Sequence, residues 1–438
     1  MKSDLAKKAR SSDVLERAWI VIQRNGRHSK SDEIRNDIEQ FAENSSSKLR
    51  SLQHRLARGK FEFGKAKGVP VPKLDGQGKE TGKFRPLVVA PLEARIVQRA
   101  ILEVLSEQSA LERYIRTPYS FGGLKKKKSK KAVSEEALSA VPAAIECTLN
   151  EIKAGATWVA TADISSFFTK VSKSSVIEVI EEALPQQTEF ISLLKEAVKV
   201  ELRNLDQLRS HKDDFPIKDI GVAQGNSLSP LLGNIALADF DAKMNAGDCR
   251  CIRYIDDFII LAPTKKAANA KLRKAAELLS LLQMKLSPEK SAKDAMPIEA
   301  GFEFLGIEVS PGLIKPASKA RQKFLQNVTA ELDKGKKALF AMKHGNAVPK
   351  ANSVTQTLKR VDGIIDGWGK HYWFCNDAQT FRDLDLKLHK EVSSYLGAFG
   401  AVRSELPETK RHLPLGFTDL SERPDTAFVY PSTNPTAA

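Results

Sequence analysis

What the chain has little of narrows the field first. Only four of its 438 residues are cysteine, too few at this length for a disulfide framework, which excludes a stapled secreted scaffold. Cys249 and Cys251 form a Cys-x-Cys, but no second Cys or His pair follows at zinc-finger spacing, so strand packing is their expected role. No apolar run approaches the roughly 18 residues of a membrane span, and the start, Met1-Lys2-Ser3-Asp4, lacks the apolar centre of a signal peptide. A soluble, cytoplasmic protein with no membrane partner is the expectation. Acidic residues are also in deficit: 54 Asp plus Glu against 69 Lys plus Arg, a formal net charge of +15. That excess is the electrostatic footprint of a partner carrying many phosphates, with an anionic membrane surface as the competitor.

A hydrophobic content of 42% is ordinary for a folded protein, and the length allows two to four structural units. The stretch the others surround is Tyr254-Ile255-Asp256-Asp257-Phe258. Residues 251–255 and 258–262 are rich in β-branched and aromatic side chains, so the segment reads as strand, tight acidic turn, strand. Asp-Asp pairs are common in surface turns. Yet two carboxylates about 4 Å apart repel by roughly 1 kcal/mol in water and by several times that near a protein surface. A divalent cation relieves this, and Mg²⁺ prefers one or two carboxylates plus phosphate oxygens. The hairpin has the chemistry of half a metal site.

In chain order, residues 1–64 read as a helical extension, with an apolar stripe at Val14, Leu15, Ala18, Trp19, Val21 and Ile22. A second helix carries Leu49, Leu52 and Leu56 among Arg50, Arg55 and Arg58. Residues 69–89 read as a hairpin with cations on the return strand. Gly78, Gly82 and Lys83 invite a P-loop, but the first glycine of that motif would fall on Gln77, and Phe84 stands where Ser or Thr should hold the metal. Residues 92–105 form a helix with a basic flank. Lysines at 125–128, 130 and 131 make a solvated loop or a contact with a nucleic-acid backbone. Residues 134–154 read as a helix kinked or restarted at Pro142, and 157–164 as a strand that ends on Asp163. Residues 172–210 read as helical throughout. The loop holding Gln224 and Gly225 then runs into a helix with Ser229 as N-cap and Pro230 in its first position. After the acidic hairpin come a helix over 265–282, a loop with Lys290, and a short hairpin at 301–309. Three helices then follow, separated near Asn346 and Cys375, before a Pro-rich end.

One carboxylate at a strand end, an Ala-Gln-Gly-x-x-x-Ser-Pro loop, a Tyr-x-Asp-Asp hairpin, a Lys loop and a Phe-Leu-Gly hairpin occur here in that order. In this order they resemble the blocks of reverse transcriptases, above all the bacterial enzymes of group II intron, retron and defence-associated type. The resemblance covers about residues 65 to 310, and more weakly the helices to 400. It implies an α+β right-hand polymerase fold with an N-terminal extension (1–64), fingers (65–162), palm (163–312, with a helical insertion at 172–210), helical thumb (313–400) and tail (401–438).

The resemblance also assigns roles, and the chemistry of phosphoryl transfer is compatible with them, since that reaction demands positioning and charge neutralisation. Asp163, Asp256 and Asp257 would hold two Mg²⁺ ions, with Mn²⁺ as a possible substitute, assisted by the backbone carbonyl of Ile164. Lys83 and Arg85 would hold the incoming triphosphate, and Phe168 would exclude a ribose 2′-hydroxyl. Gln224 and Gly225 would line the nucleotide pocket, and Lys290 would assist the leaving pyrophosphate. Phe304, Leu305 and Gly306 would grip the primer, and Lys125, Lys126, Lys127 and Lys128 would touch nucleic acid. The implied partners are an RNA template, a DNA or RNA primer with its DNA product, and dNTPs. The Gly-Val-Asp-Gly stretch of many intron-encoded relatives is lacking, and no Cys/His-rich endonuclease or ribonuclease H region follows the helices. These departures favour a stand-alone bacterial enzyme copying an associated non-coding RNA in antiphage defence. A splicing maturase is the alternative; a catalytically silent RNA scaffold would have no use for the acidic triad.

Overall fold

The computed structural model describes residues 4–74, 80–123, 139–343 and 350–417. The chain divides into two compact units, Met1–Leu305 and Gly306–Ala438.

The first unit opens with four helices: α1 (Leu5–Ala9), α2 (Ser12–Gly26), α3 (Asp32–Ala42) and α4 (Ser45–Ala57). The Ser11 hydroxyl caps α2 by accepting from the Val14 amide, meeting one of the orphan donors every helix start carries. The expected stripe then turns inward: Val14, Leu15, Ala18, Trp19 and Ile22 are buried, and the Trp19 ring lies 4.5 Å from that of Phe41. Next come strands β1 (Lys67–Leu74) and β2 (Glu80–Val89), an antiparallel pair in which Val71 faces Arg85. Its prolines, Pro70 and Pro86, lie opposite one another, tolerable because a two-stranded ribbon has only edge strands. Helix α5 (Leu92–Ser106) follows and buries Ile96, Val97, Ala100, Ile101, Val104 and Leu105. It packs against α2 and α1, which ties the N-terminal helices to the main core.

After α6 (Glu112–Ile115) and β3 (Ser120–Phe121) comes α7 (Ala140–Lys153). Pro142 lies in the first turn of α7 and no kink follows, because the amide it lacks would have had no intrahelical partner there. Strand β4 (Trp158–Asp163) leads to α8 (Lys173–Ala183) and α9 (Thr188–Val198). The helical stretch expected over 172–210 consists of separate segments: Pro185 separates α8 from α9, and a 3₁₀ stretch, Leu205–Asp214, is interrupted by Arg209 at φ +48°. Helices α10 (Ser229–Ala236) and α11 (Ala238–Met244) precede β5 (Arg250–Tyr254) and β6 (Asp257–Ala262). Helix α12 (Lys265–Leu281), β7 (Met296–Pro297) and β8 (Phe302–Phe304) complete the unit.

Its central sheet has the order β3-β5-β6-β4-β7, with β3 parallel to β5 and the other pairs antiparallel. Phe258, Ile259, Ile260, Leu261 and Ala262 of β6 are all buried, because helices cover the sheet: α7 packs over β3, β5 and β6, and α12 over β4 and β6. A strand buried on both faces reads as a continuous apolar run rather than an alternating one. Cys249 and Cys251 are buried thiols packed at this sheet.

In the second unit, strands β9 (Ile307–Ser310) and β10 (Leu313–Pro316) pair antiparallel. Helices α13 (Ser318–Lys343), α14 (Val354–His371) and α15 (Ala378–Glu405) then pack around Phe324, Val328, Leu332, Val361, Leu388 and Tyr395. The Trp368 ring stacks on Phe324 at 4.4 Å and packs against this core, whereas Trp373 is 64% exposed. The chain stays packed beyond residue 400: Leu406 and Leu415 lie against this core, and the Thr355 hydroxyl donates to the Leu415 carbonyl.

Candidate active site

Strand pairing delivers the acidic residues to one end of the central sheet. In the β4–β6 ladder Asp163 is the partner of Asp257, and in the β5–β6 ladder Tyr254 is. Directly paired residues of an antiparallel ladder have Cα atoms roughly 4.5–5.5 Å apart. One further bond fixes the join, the Ile164 amide donating to the Asp256 carbonyl at 2.8 Å. The Asp163 backbone is pinned from the other side, its carbonyl accepting from the Ser287 amide at 2.8 Å and its amide donating to Ser291 Oγ at 3.2 Å. Ser287 and Ser291 bracket the loop that carries Lys290, whose Nζ donates to Asp163 Oδ2 at 2.8 Å.

The electrostatics follow from that crowding. Burial, then repulsion from Asp163 and Asp256, pushes the Asp257 carboxyl up to about 7. Burial and Asp163 raise Asp256 as well, while Lys290 and Arg85 oppose the shift. The Lys290 ammonium is raised, first by its hydrogen bond to Asp163. Groups so perturbed at one place are the usual mark of a reactive centre. Among the described residues no three acidic, His or Cys side chains form a ready-made ion cage; the ammonium of Lys290 occupies Asp163 Oδ2 instead. The donor set still fits a hard divalent cation, being carboxylate oxygens held side by side at a mutual repulsion that such an ion relieves. Ile164 is buried behind them.

The nucleotide-side candidates meet through backbone bonds. The Val88 amide of β2 donates to the Gln224 carbonyl at 2.8 Å, joining the strand that carries Arg85 to the Gln-Gly loop. Gly225 sits at φ +109°, and a Cβ there would lie 2.7 Å from the Val88 carbonyl oxygen, so only glycine lets loop and strand approach this closely. Phe168 joins the same loop, its carbonyl accepting from the Val222 amide at 2.7 Å. Its ring is half-buried, 5.2 Å from that of Phe167. Arg85 is exposed yet near enough to act on Asp256. Lys83 instead forms an ion pair with Glu289 on the Lys290 loop. Ser229 departs from the expected N-cap: it is the first helical residue of α10, and its hydroxyl donates back to the Ala223 carbonyl at 2.7 Å. That bond closes the Gln-Gly loop on itself.

Phe304 is buried, and Leu305 and Gly306 turn the chain with positive φ of 54° and 75°. Lys125, Lys126, Lys127 and Lys128 lie outside the described residues. Sequence reasoning missed Ser287 and Ser291 as the props of Asp163, for which no local signal exists. It also missed Arg253, where a charged residue interrupts the apolar run of β5.

Comparison with known proteins identifies the family. The family model described as reverse transcriptase (RNA-dependent DNA polymerase) matches residues 71–309. Protein YkfC of Escherichia coli (strain K12) is 25% identical over 294 residues, 59% of this chain and 70% of that protein. Among solved structures, a partial Cas6-RT-Cas1–Cas2 complex is 21% identical with a TM-score of 0.34, over 64% of this chain and 42% of that one. Apo telomerase from Candida tropicalis is 14% identical with a TM-score of 0.43, over 83% and 68%. This chain thus spans less than half the length of the first of these structures. No helix among the described residues is long and apolar enough to cross a membrane. With more than half of its length matched by the family model, the chain belongs to the reverse transcriptase family of RNA-dependent DNA polymerases.

Proposed function

We propose that this chain extends a DNA strand on an RNA template by phosphoryl transfer centred on Asp163, Asp256 and Asp257. The observation that carries the reading is the pairing of Asp163 with Asp257 across β4 and β6, with the Ile164 amide bonded to the Asp256 carbonyl. It brings together carboxylates nearly a hundred residues apart in sequence, at a cost in repulsion that a structural role would not require. When bound, Mg²⁺ supplies positive charge at the reacting phosphate and lowers the pKa of the attacking hydroxyl.

The chain's own residues do the rest. The Asp163, Asp256 and Asp257 carboxylates would hold the metal and offset its charge. Arg85 meets the triphosphate with a guanidinium whose fork suits phosphate oxygens, and Lys83 exchanges Glu289 for the same group. Lys290, which donates to Asp163 Oδ2, carries on Nζ the proton that would go to the leaving pyrophosphate. The Phe168 ring bars a 2′-hydroxyl, with Gln224 and Gly225 forming the opposite wall. Phe304, Leu305 and Gly306 steady the primer, and Lys125 to Lys128 bind backbone phosphates of the template. In this reading 65–162 act as fingers, 163–312 as palm and 313–400 as thumb.

The biological role we propose is the copying of an associated non-coding RNA in bacterial antiphage defence, supported by the likeness of the sequence blocks to defence-associated enzymes. Sequencing the RNA and DNA that co-purify with the protein tests it, and recovery of a spliced intron would favour a maturase instead. For the chemistry, the test is purified protein with Mg²⁺, an RNA template, a primer and dNTPs. DNA should be made, and D256A/D257A should abolish synthesis while RNA binding persists. Synthesis retained by the double variant would remove the assignment.

A further inference from the structure

Arg253, immediately before Tyr254, is the largest fully buried side chain among the described residues. Its Nε and Nη2 donate to Asp241 Oδ1 and Oδ2 at 2.7 and 2.5 Å, and Nη2 also donates to Ser120 Oγ at 2.7 Å. Nη1 donates to Asn234 Oδ1 at 3.2 Å and to the Ile255 carbonyl at 2.8 Å. Asp241 is held in turn by the Thr117 hydroxyl at 3.1 Å. A buried bidentate pair of this kind need add nothing to stability over apolar residues of the same volume. Its bond to Ile255 gives it a different use.

Ile255 is the one β-branched residue among the described positions with φ in the left-handed region, at +60°. That conformation crowds its Cβ against the neighbouring carbonyl and persists only where surroundings impose it. Three things do so here. The Ile255 carbonyl is held by Arg253, and its amide donates to the Phe121 carbonyl at 3.3 Å. Gly122, at φ +89°, leaves the room its side chain needs, since a Cβ there would come within 2.9 Å of Ile255 Cγ1. The next two residues are Asp256 and Asp257, so the backbone angles at Ile255 set where both carboxylates point.

We propose that Arg253 is a positioning residue: through the Ile255 carbonyl it locks the acidic turn in its left-handed conformation and so aims Asp256 and Asp257. The proposal deepens the polymerase reading and rests on it. Replacing the pair by apolar residues, R253M/D241L, removes the clamp and keeps the volume filled. This variant is expected to melt within a few degrees of the native protein and hold the KM for dNTP within about threefold. Its kcat should fall about 10²-fold, the scale of an ångström-level misplacement of reacting groups. Adding I255G, which makes the left-handed conformation easy, should recover most of that loss. Native kcat in the folded double variant, or an equal loss with and without I255G, overturns the proposal. Should R253M/D241L fail to fold, R253K is compared in the native and I255G backgrounds with the same two criteria. The catalytic reading fails separately, through activity retained in D256A/D257A. In that event, coupling between position 253 and position 255 is read from thermal unfolding alone, and its absence sinks the clamp.

Discussion

Lys290 Nζ lies 2.8 Å from Asp163 Oδ2, joining a loop lysine to a strand-end carboxylate 127 positions earlier in the chain. The Lys290 side chain is 66% exposed while that of Asp163 is 14% exposed, so the lysine reaches in from solvent and can swing out again. Replacing it by methionine removes that charge and the proton it carries. We expect K290M to lower kcat by about 10²-fold, the scale of a lost general acid, with the KM for dNTP little changed. Single-turnover extension measures it, and an unchanged chemical step would leave Lys290 a surface ion pair.

The raised carboxyl of Asp257 makes the protein's stability depend on pH. Its folded value of about 7 lies above the ordinary 3.8, so the fold binds a proton that the unfolded chain has released between those values. Stability from this group is therefore present at low pH and lost as pH rises towards 7. In EDTA, the melting temperature of the native protein relative to D257N should fall from about pH 5 to about pH 8. Mg²⁺ should close the gap at the upper end. A difference between the two proteins that ignores pH would refute the account.

Gly225 touches Val88 too closely to accept a side chain. Alanine there must leave φ +109° or push the Val88 carbonyl away, at a cost of about 2 kcal/mol. If, as proposed, the loop and β2 flank the nucleotide, G225A should raise the KM for dNTP along with lowering the melting temperature. Native values of both would show that the contact relaxes without consequence.

Phe168 tests the sugar gate. F168A opens space beside the Gln-Gly loop and should increase ribonucleotide incorporation relative to deoxyribonucleotide on the order of tenfold. Competition between labelled rNTP and dNTP reads it directly. Selectivity like that of the native protein would return the ring to a packing role beside Phe167.

Much of this was legible in the sequence wherever the signal is periodic. The stripe of α5 and the apolar runs of β5 and β6 specify their own burial, and Asp163 and the Asp256–Asp257 turn stand out as acids at strand ends. What escaped depends on partners distant in sequence. The helical pattern over 172–210 says nothing of the left-handed Arg209 within it. Ser229 satisfies every local rule for an N-cap, yet the folded-back loop offers its hydroxyl the Ala223 carbonyl instead. Arg253 carries no local sign of its role because Asp241, its counter-ion, belongs to a different helix and only the tertiary fold seals both from water.

The ladder between β4 and β6 has a consequence for how this chain tolerates change. Its side chains alternate between faces with a period of two. An added or deleted residue within Trp158–Asp163 or Asp257–Ala262 would shift the ladder by one position and take Asp163 out of its pairing with Asp257. Such an indel would act as a gear slipped by one tooth.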